Sequence, residues 1–279
     1  IAPIAGAAVE RVDRVQSLWG GYGELVRAHL VDLRSVVVTR VTPPEAIADA
    51  GDRRKRRSYE VEIAFYRRFA ERAGERCRVA RLVGARADRA GWLLVLEDLD
   101  AAGFARRLHD PDGEDLDACL AWLAAFHARF LGAPVEGLWP VGTYWHLATR
   151  AEELAAMRDV ALRARAPELD RALRAARFQT VVHGDAKPEN FCFADDGARV
   201  AAVDFQYAGG GPGIKDVAYL LWGAPAAVES GALETYFAKL RAELARDVDA
   251  DALELELEWR ALYPVARDDF RRFLSGWRR

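Results

Sequence analysis

His183-Gly184-Asp185-Ala186-Lys187-Pro188-Glu189-Asn190, followed after a hairpin-like stretch by Val203-Asp204-Phe205, is where the chain concentrates its chemistry. Acids, an amide, a lysine and a histidine stand in turn-forming sequence between short β-like runs. These runs are Thr180-Val181-Val182 on one side, and Asn190-Phe191-Cys192-Phe193 and Val200 to Val203 on the other. A plain turn rich in Asp, Asn and Pro would use some of the same residue types.

Outward from this stretch the sequence is mainly helical. Leu116, Leu120, Leu123, Phe126 and Phe130 fall on one face of a helix expected from about Asp115 to Leu131. Residues 151 to 176, 226 to 247 and 251 to 277 read as three further helical stretches. The first hundred residues read differently: Val36-Val37-Val38, Val41 and Trp92-Leu93-Leu94-Val95-Leu96 are strand-like. They flank one helix, expected from Ser58 to about Ala73, with Val61, Phe65 and Phe69 on its apolar face and Ser58 as N-cap. Composition shifts near residues 98 to 101, so a boundary is expected there, with 1–98 as a small β-rich unit and 99–279 as a larger helical one.

Composition narrows the classes of function. The 279 residues are 51% hydrophobic and 30% charged, as in an ordinary globular chain able to bury a sizeable core. A formal charge of −3 gives no positive field to attract nucleic acid or an acidic membrane. Apolar runs fall short of the roughly 18 residues a bilayer span needs, and Ile1 to Glu10 lacks a basic leader start, so a soluble chain without membrane partners is expected. Cys77, Cys119 and Cys192 are odd in number and scattered, which suits a reducing cytoplasm rather than a disulfide framework or a zinc site.

The stretch at 183–190 resembles the catalytic loop of the protein-kinase-like phosphotransferases, in the His-Gly-Asp form of the aminoglycoside phosphotransferase and choline kinase group. Type, spacing and order all match a mechanism. The resemblance implies an α+β, two-lobed kinase-like fold and ATP- and Mg²⁺-dependent phosphorylation of a hydroxyl on a small-molecule alcohol. It makes Asp185 the group that accepts the hydroxyl proton, places Lys187 towards the γ-phosphate, and gives Asn190 and Asp204 to Mg²⁺. Metal-dependent hydrolysis by His183 and Asp185 would leave Lys187, Asn190 and Glu62 without roles.

Upstream segments extend the likeness over nearly the whole chain. Leu18-Trp19-Gly20-Gly21-Tyr22-Gly23-Glu24-Leu25 resembles a phosphate-covering glycine loop, with Gly20, Gly21 and Gly23 at the nucleotide, although a hairpin turn would also want those glycines. Glu62 resembles the helix glutamate that pairs with a phosphate-anchoring strand lysine. Leu96-Glu97-Asp98-Leu99 resembles the hinge whose backbone at Glu97 and Leu99 would meet the adenine edge; an ordinary strand end is the alternative. Asp216 resembles the carboxylate that braces the catalytic loop, and it also suits the N-terminal turn of a helix. The aromatic residues of 138–147, with Trp259, Tyr263, Phe270 and Trp277, resemble the ecdysteroid kinase-like and choline kinase-like branch; they would serve as core or as walls for a cationic or bulky apolar alcohol.

One position departs from the pattern. In Val36-Val37-Val38-Thr39-Arg40-Val41 the expected lysine is Thr39, and strand alternation turns Arg40 away if Thr39 faces the nucleotide. Either Lys187 or a rotated Arg40 supplies the missing charge, or the chain is a weakened, pseudokinase-like binder of nucleotide or ligand. Arg53-Arg54-Lys55-Arg56-Arg57 is expected to be a solvated loop ahead of the helix, or else an anion contact. His127 is expected to be a core histidine. The acceptor, the preference for ATP over GTP and the oligomeric state stay open.

Overall fold

The computed structural model describes residues 1–44, 46–47, 49–88, 90–197, 199–247 and 251–277, with the side chains of Trp19 and Asp247 not described. A short helix α1 (Ala2–Ala5) leads into strands β1 (Val9–Ser17), β2 (Gly23–Leu30) and β3 (Ser35–Val41). After helices α2 (Ala50–Arg68) and α3 (Ala70–Ala73) come β4 (Leu82–Asp88) and β5 (Gly91–Glu97). These five strands form one antiparallel sheet in the order β1-β2-β3-β5-β4.

Alternation along β3 sorts its side chains between two environments. Val36 and Val38 pack with Val26, Ala28 and Val95 in a small outer cluster closed by Ala5 of α1. Val37 and Thr39 lie opposite Leu96 and Leu94, so they share the other face, the one turned towards the main core. The expected register therefore holds, and Arg40 points outward, where it pairs with Glu24.

The helix between the strands starts earlier than expected. Its N-cap is Asp49, which accepts from the Asp52 N–H at 2.8 Å, and the basic run Arg53–Arg57 closes its first turn and forms its second. Arginine and lysine are good helix formers, and Asp52 supports Arg56 one turn on, so no solvated loop is needed. Ser58, expected as a cap, is instead a buried residue inside the helix. Phe69 interrupts the pattern, and α3 is a separate turn.

The remainder is mainly helical: α4 (Gly113–Arg129), α5 (Ala151–Ala156), α6 (Val160–Arg174), α7 (Ile214–Leu220), α8 (Ala226–Asp247) and α9 (Ala252–Trp277). The expected helix over 151–176 is thus two helices. Four short strands, β6 (Thr180–Val182), β7 (Phe191–Phe193), β8 (Val200–Ala202) and β9 (Gly209–Gly211), pair as β6 with β9 and β7 with β8. One continuous core joins both parts: Leu94 and Leu96 of the sheet, Val61 and Phe65 of α2, Trp122 and Phe126 of α4, and Trp259 of α9. No described helix is long and apolar enough to cross a membrane.

Candidate active site

The pairing of the short strands decides where the chemistry lies. The loop His183–Asn190 joins β6 to β7, and residues 203–208 join β8 to β9, so the pairing of β6 with β9 and β7 with β8 brings the two loops together. The Val203 N–H donates to Asn190 O at 3.0 Å, which stitches them directly.

Asp216, in the first turn of α7, holds the backbone of the loop His183–Asn190. Its carboxylate is fully buried and accepts from the N–H groups of His183 (2.6 Å) and Gly184 (2.9 Å), with His127 Nε2 at 3.1 Å. Burial opposes its charge, but the His127 hydrogen bond and the neighbouring donors hold its pKa below the ordinary carboxylate range. His127 is a core histidine, as expected, completed by Tyr236 Oη at 2.8 Å. Gly184 has φ +81°, and a Cβ there would stand 2.1 Å from Tyr207 O, so only glycine lets the two loops approach.

His183 fixes Asp185, two residues on. Burial lowers its pKa. Its Nδ1 accepts from the Asp185 N–H at 3.2 Å, which leaves Nε2–H to donate to Val203 O at 3.0 Å. The Asp185 carboxylate is buried, and its Oδ2 accepts from Lys187 Nζ and Asn190 Nδ2, each at 3.1 Å. Asn190 Nδ2 also donates to Asp185 O at 2.7 Å, so the amide nitrogen is spent on the loop and the amide oxygen is the end able to bind a cation. Tyr144 and Tyr219 lie close enough that the Asp185 charge, after burial itself, discourages ionisation of their phenols.

Asp204 is held in a left-handed conformation, φ +66°, uncommon outside glycine. Its Oδ1 is buried with no hydrogen-bond partner, and burial followed by the Asp185 charge pushes its pKa up to about 6. A bound divalent cation would relieve this arrangement, since it would pair the orphaned oxygen and favour the charged form. No group of three or more His, Cys, Asp or Glu suited to a metal occurs among the described residues, so the site offers Asp204 and the Asn190 amide only. Such a two-ligand site fits Mg²⁺, which takes few protein ligands and completes its shell with phosphate and water oxygens.

Glu62 is buried on α2 and faces Asp204, and burial pushes its pKa up to about 8. Its partner is Gln206, whose Nε2 donates at 3.3 Å and whose Oε1 accepts from the Ser58 hydroxyl at 3.2 Å. A neutral amide thus takes the place of the strand lysine. Glu62→Gln is expected to raise the melting temperature of the metal-free protein by a few degrees at pH 8.5 and to leave it nearly unchanged at pH 4.5. The sign follows because a raised acid pKa destabilises the fold as pH climbs from the unfolded value of 4.5 to about 8, at about 1.4 kcal/mol per pKa unit. Equal melting shifts at both pH values would refute it.

The remaining expected residues lie along the first sheet. Gly20 and Gly21, both at φ +71°, form a turn between β1 and β2, and Gly21 is open, with nothing within 4 Å of where a Cβ would stand. Gly23 answers to the hairpin, because a Cβ there would meet Arg40 O at 1.9 Å. The Glu97 side chain turns to Arg78 in a two-oxygen pair (2.8 and 2.7 Å), and its N–H donates to Arg81 O. Leu99 is buried, with its carbonyl accepting from the Phe104 N–H at 2.9 Å. Trp145, Trp259, Tyr263 and Phe270 are buried core rather than exposed walls. Gln206 and Tyr219 are the participants that sequence reasoning missed, whereas Tyr144 belongs to the aromatic stretch 138–147 expected as core or wall.

A family model described as "APH: Phosphotransferase enzyme family" matches residues 15–260. No curated protein matches the chain. Among solved structures, amicoumacin kinase hAmiN in complex with AMP-PNP, Ca²⁺ and Ami is similar at 18% identity and TM-score 0.58, covering 92% of this chain and 80% of that one. Choline kinase LicA from Streptococcus pneumoniae is similar at 14% identity and TM-score 0.54, with coverages of 98% and 88%. An aminoglycoside-3'-phosphotransferase of type VIII is similar at 18% identity and TM-score 0.51, with 93% of each chain covered. The fold is therefore the α+β kinase-like fold of these enzymes, and the chain belongs to the APH phosphotransferase enzyme family.

Proposed function

We propose that the chain is an ATP- and Mg²⁺-dependent kinase of a small-molecule alcohol, working in the cytoplasm. The observation that carries this reading is the buried Asp204 Oδ1 without a partner, one loop away from an Asp185 that Asn190 and Lys187 hold in place. Bound Mg²⁺ would neutralise phosphate charge between Asp204 and the Asn190 amide oxygen. Asp185 orients the acceptor hydroxyl and takes its proton, and Lys187 balances negative charge beside it. The division into a nucleotide-covering unit (1–98) and an acceptor-binding one (99–279) belongs to the same proposal. Gly20, Gly21 and Gly23 cover the phosphates, and Thr39 faces them from β3. The Glu97 carbonyl and Leu99 N–H, the hinge groups other than the two already bonded, meet the base.

The acceptor side combines aromatic rings with charged groups of both signs. Arg150 is 4% exposed and sits over the rings of Tyr144 and Phe273; burial and then the charge of Arg54 lower its pKa. Both guanidinium groups act on Tyr207, which stacks on Trp139. A cavity of about 450 Å³ adjoins them, lined by Trp139, by Arg53, Arg54 and Arg57, and by as many carboxylates, Asp49, Glu152 and Glu153, the last paired with Arg150 at 3.0 Å. With charges of both signs beside the aromatic rings, the cavity can meet an acceptor that carries either.

ADP release is expected with Mg²⁺ and ATP from at least one member of a panel of alcohols, amino alcohols, aminoglycosides and steroids. EDTA is expected to abolish it, and ATP with Mg²⁺ to raise the melting temperature. A shift by ATP that ignores Mg²⁺, with no turnover on any acceptor, would instead favour the pseudokinase-like binder suggested by Thr39.

A further inference from the structure

A nucleoside triphosphate brings several negative charges under the glycine turn, and β3 offers only Thr39 to meet them. Arg40 is turned to the opposite face and paired with Glu24, and Lys187 is held at Asp185. Within the basic run of α2, Arg54 is bonded to Thr149 O, Arg57 to the carbonyls of Gly137 and Leu138, and Arg56 faces Asp52. Lys55 differs from these. Its Nζ stands 3.0 Å from where a Cβ on Gly20 would be, directly against the turn, and 4.2 Å from the centre of the Tyr22 ring.

Lys55 precedes Glu62 by seven residues, two helical turns, so both lie on the face of α2 that looks into the cleft. No described carboxylate lies within ion-pair distance of its ammonium. Burial lowers its pKa, opposed by the charge of Asp52. A desolvated ammonium held by an aromatic face is a site for an anion, because the cost of taking it out of water is recovered when a charged partner arrives.

We propose that Lys55 supplies the phosphate-anchoring cation that β3 lacks, so that the polyphosphate of the nucleotide is gripped from helix α2 and the glycine turn rather than from the sheet. The proposal rests on the kinase reading above. It explains why Glu62 can do without a lysine: the cation has moved two turns along the same helix, and the carboxyl is left to the Gln206 amide. Tyr22 has a role as well, as a support that keeps the Lys55 chain extended under Gly20 and Gly21.

The test compares wild type and Lys55→Met by calorimetric titration with ATP, AMP and adenosine, each with Mg²⁺, alongside melting curves without nucleotide. Lys55→Met is expected to weaken ATP binding at least tenfold, to change adenosine binding less than twofold, and to leave the unliganded melting temperature unaltered. Equal losses for ATP and adenosine would mean a packing role for Lys55 and overturn the proposal. Unchanged ATP binding would overturn it too, while leaving the kinase reading intact. If wild type itself bound no ATP, the kinase reading would fall first, so the two failures are distinguishable.

Discussion

Asp185→Asn is expected to lower the turnover of any accepted alcohol by roughly a thousandfold, the scale of losing a positioned general base. The melting temperature is expected to stay the same or rise. Asp185 is a buried residue, not a surface one, so this expectation rests on shape: asparagine keeps the oxygen that receives Asn190 and Lys187 while removing a charge that now opposes the ionisation of Asp204. Nucleotide binding in the presence of Mg²⁺ should survive. The measurement is steady-state ADP release beside thermal melting, and turnover within tenfold of wild type would remove Asp185 from the chemistry.

Asp216→Ala is expected to do the opposite and damage the fold. Three donors, the N–H groups of His183 and Gly184 and the ring of His127, lose their acceptor in a region with no exposed surface. Leaving such groups buried and unpaired costs about 3–5 kcal/mol, which in a chain of this size lowers the melting temperature by roughly 10 °C. Turnover should fall with it, since the same bonds orient the peptide that carries Asp185. A variant that melted within 2–3 °C of wild type, on the same scale, would show that the loop is held by other contacts.

The site was legible in the sequence wherever its members are contiguous. Residues 183 to 190 carry an acid, a lysine and an amide on one loop, and the structure ties the three together through Asp185. That Thr39 and Arg40 face opposite sides of β3 followed from alternation, while the assignment of Thr39 to the inner side came from the resemblance to the family's strand lysine. Ser58 and the basic run were misread because charge was taken for solvation, whereas helix propensity and the Asp49 cap extend α2 through that run. Gln206 was not legible, because its value comes from Ser58 and Glu62, both about 145 residues away along the chain. The role of Lys55 was hidden in the same way: five neighbouring cations look alike until a helix gives each its own direction.

The stacking of Phe205 on Phe65, with ring centres 3.7 Å apart and planes within 6°, has a mechanical consequence. Together with Gln206 on Ser58 and Glu62, it bolts the segment after Asp204 onto α2. Gln206, bonded at both ends of its amide, leaves the segment no free pivot there. The expected behaviour is that of an always-assembled enzyme, controlled by supply of its substrates rather than by a conformational switch. Amide hydrogen exchange should then show residues 58–66 and 203–207 opening as one unit, with similar protection in the presence and absence of nucleotide, and independent opening of either segment would break the inference.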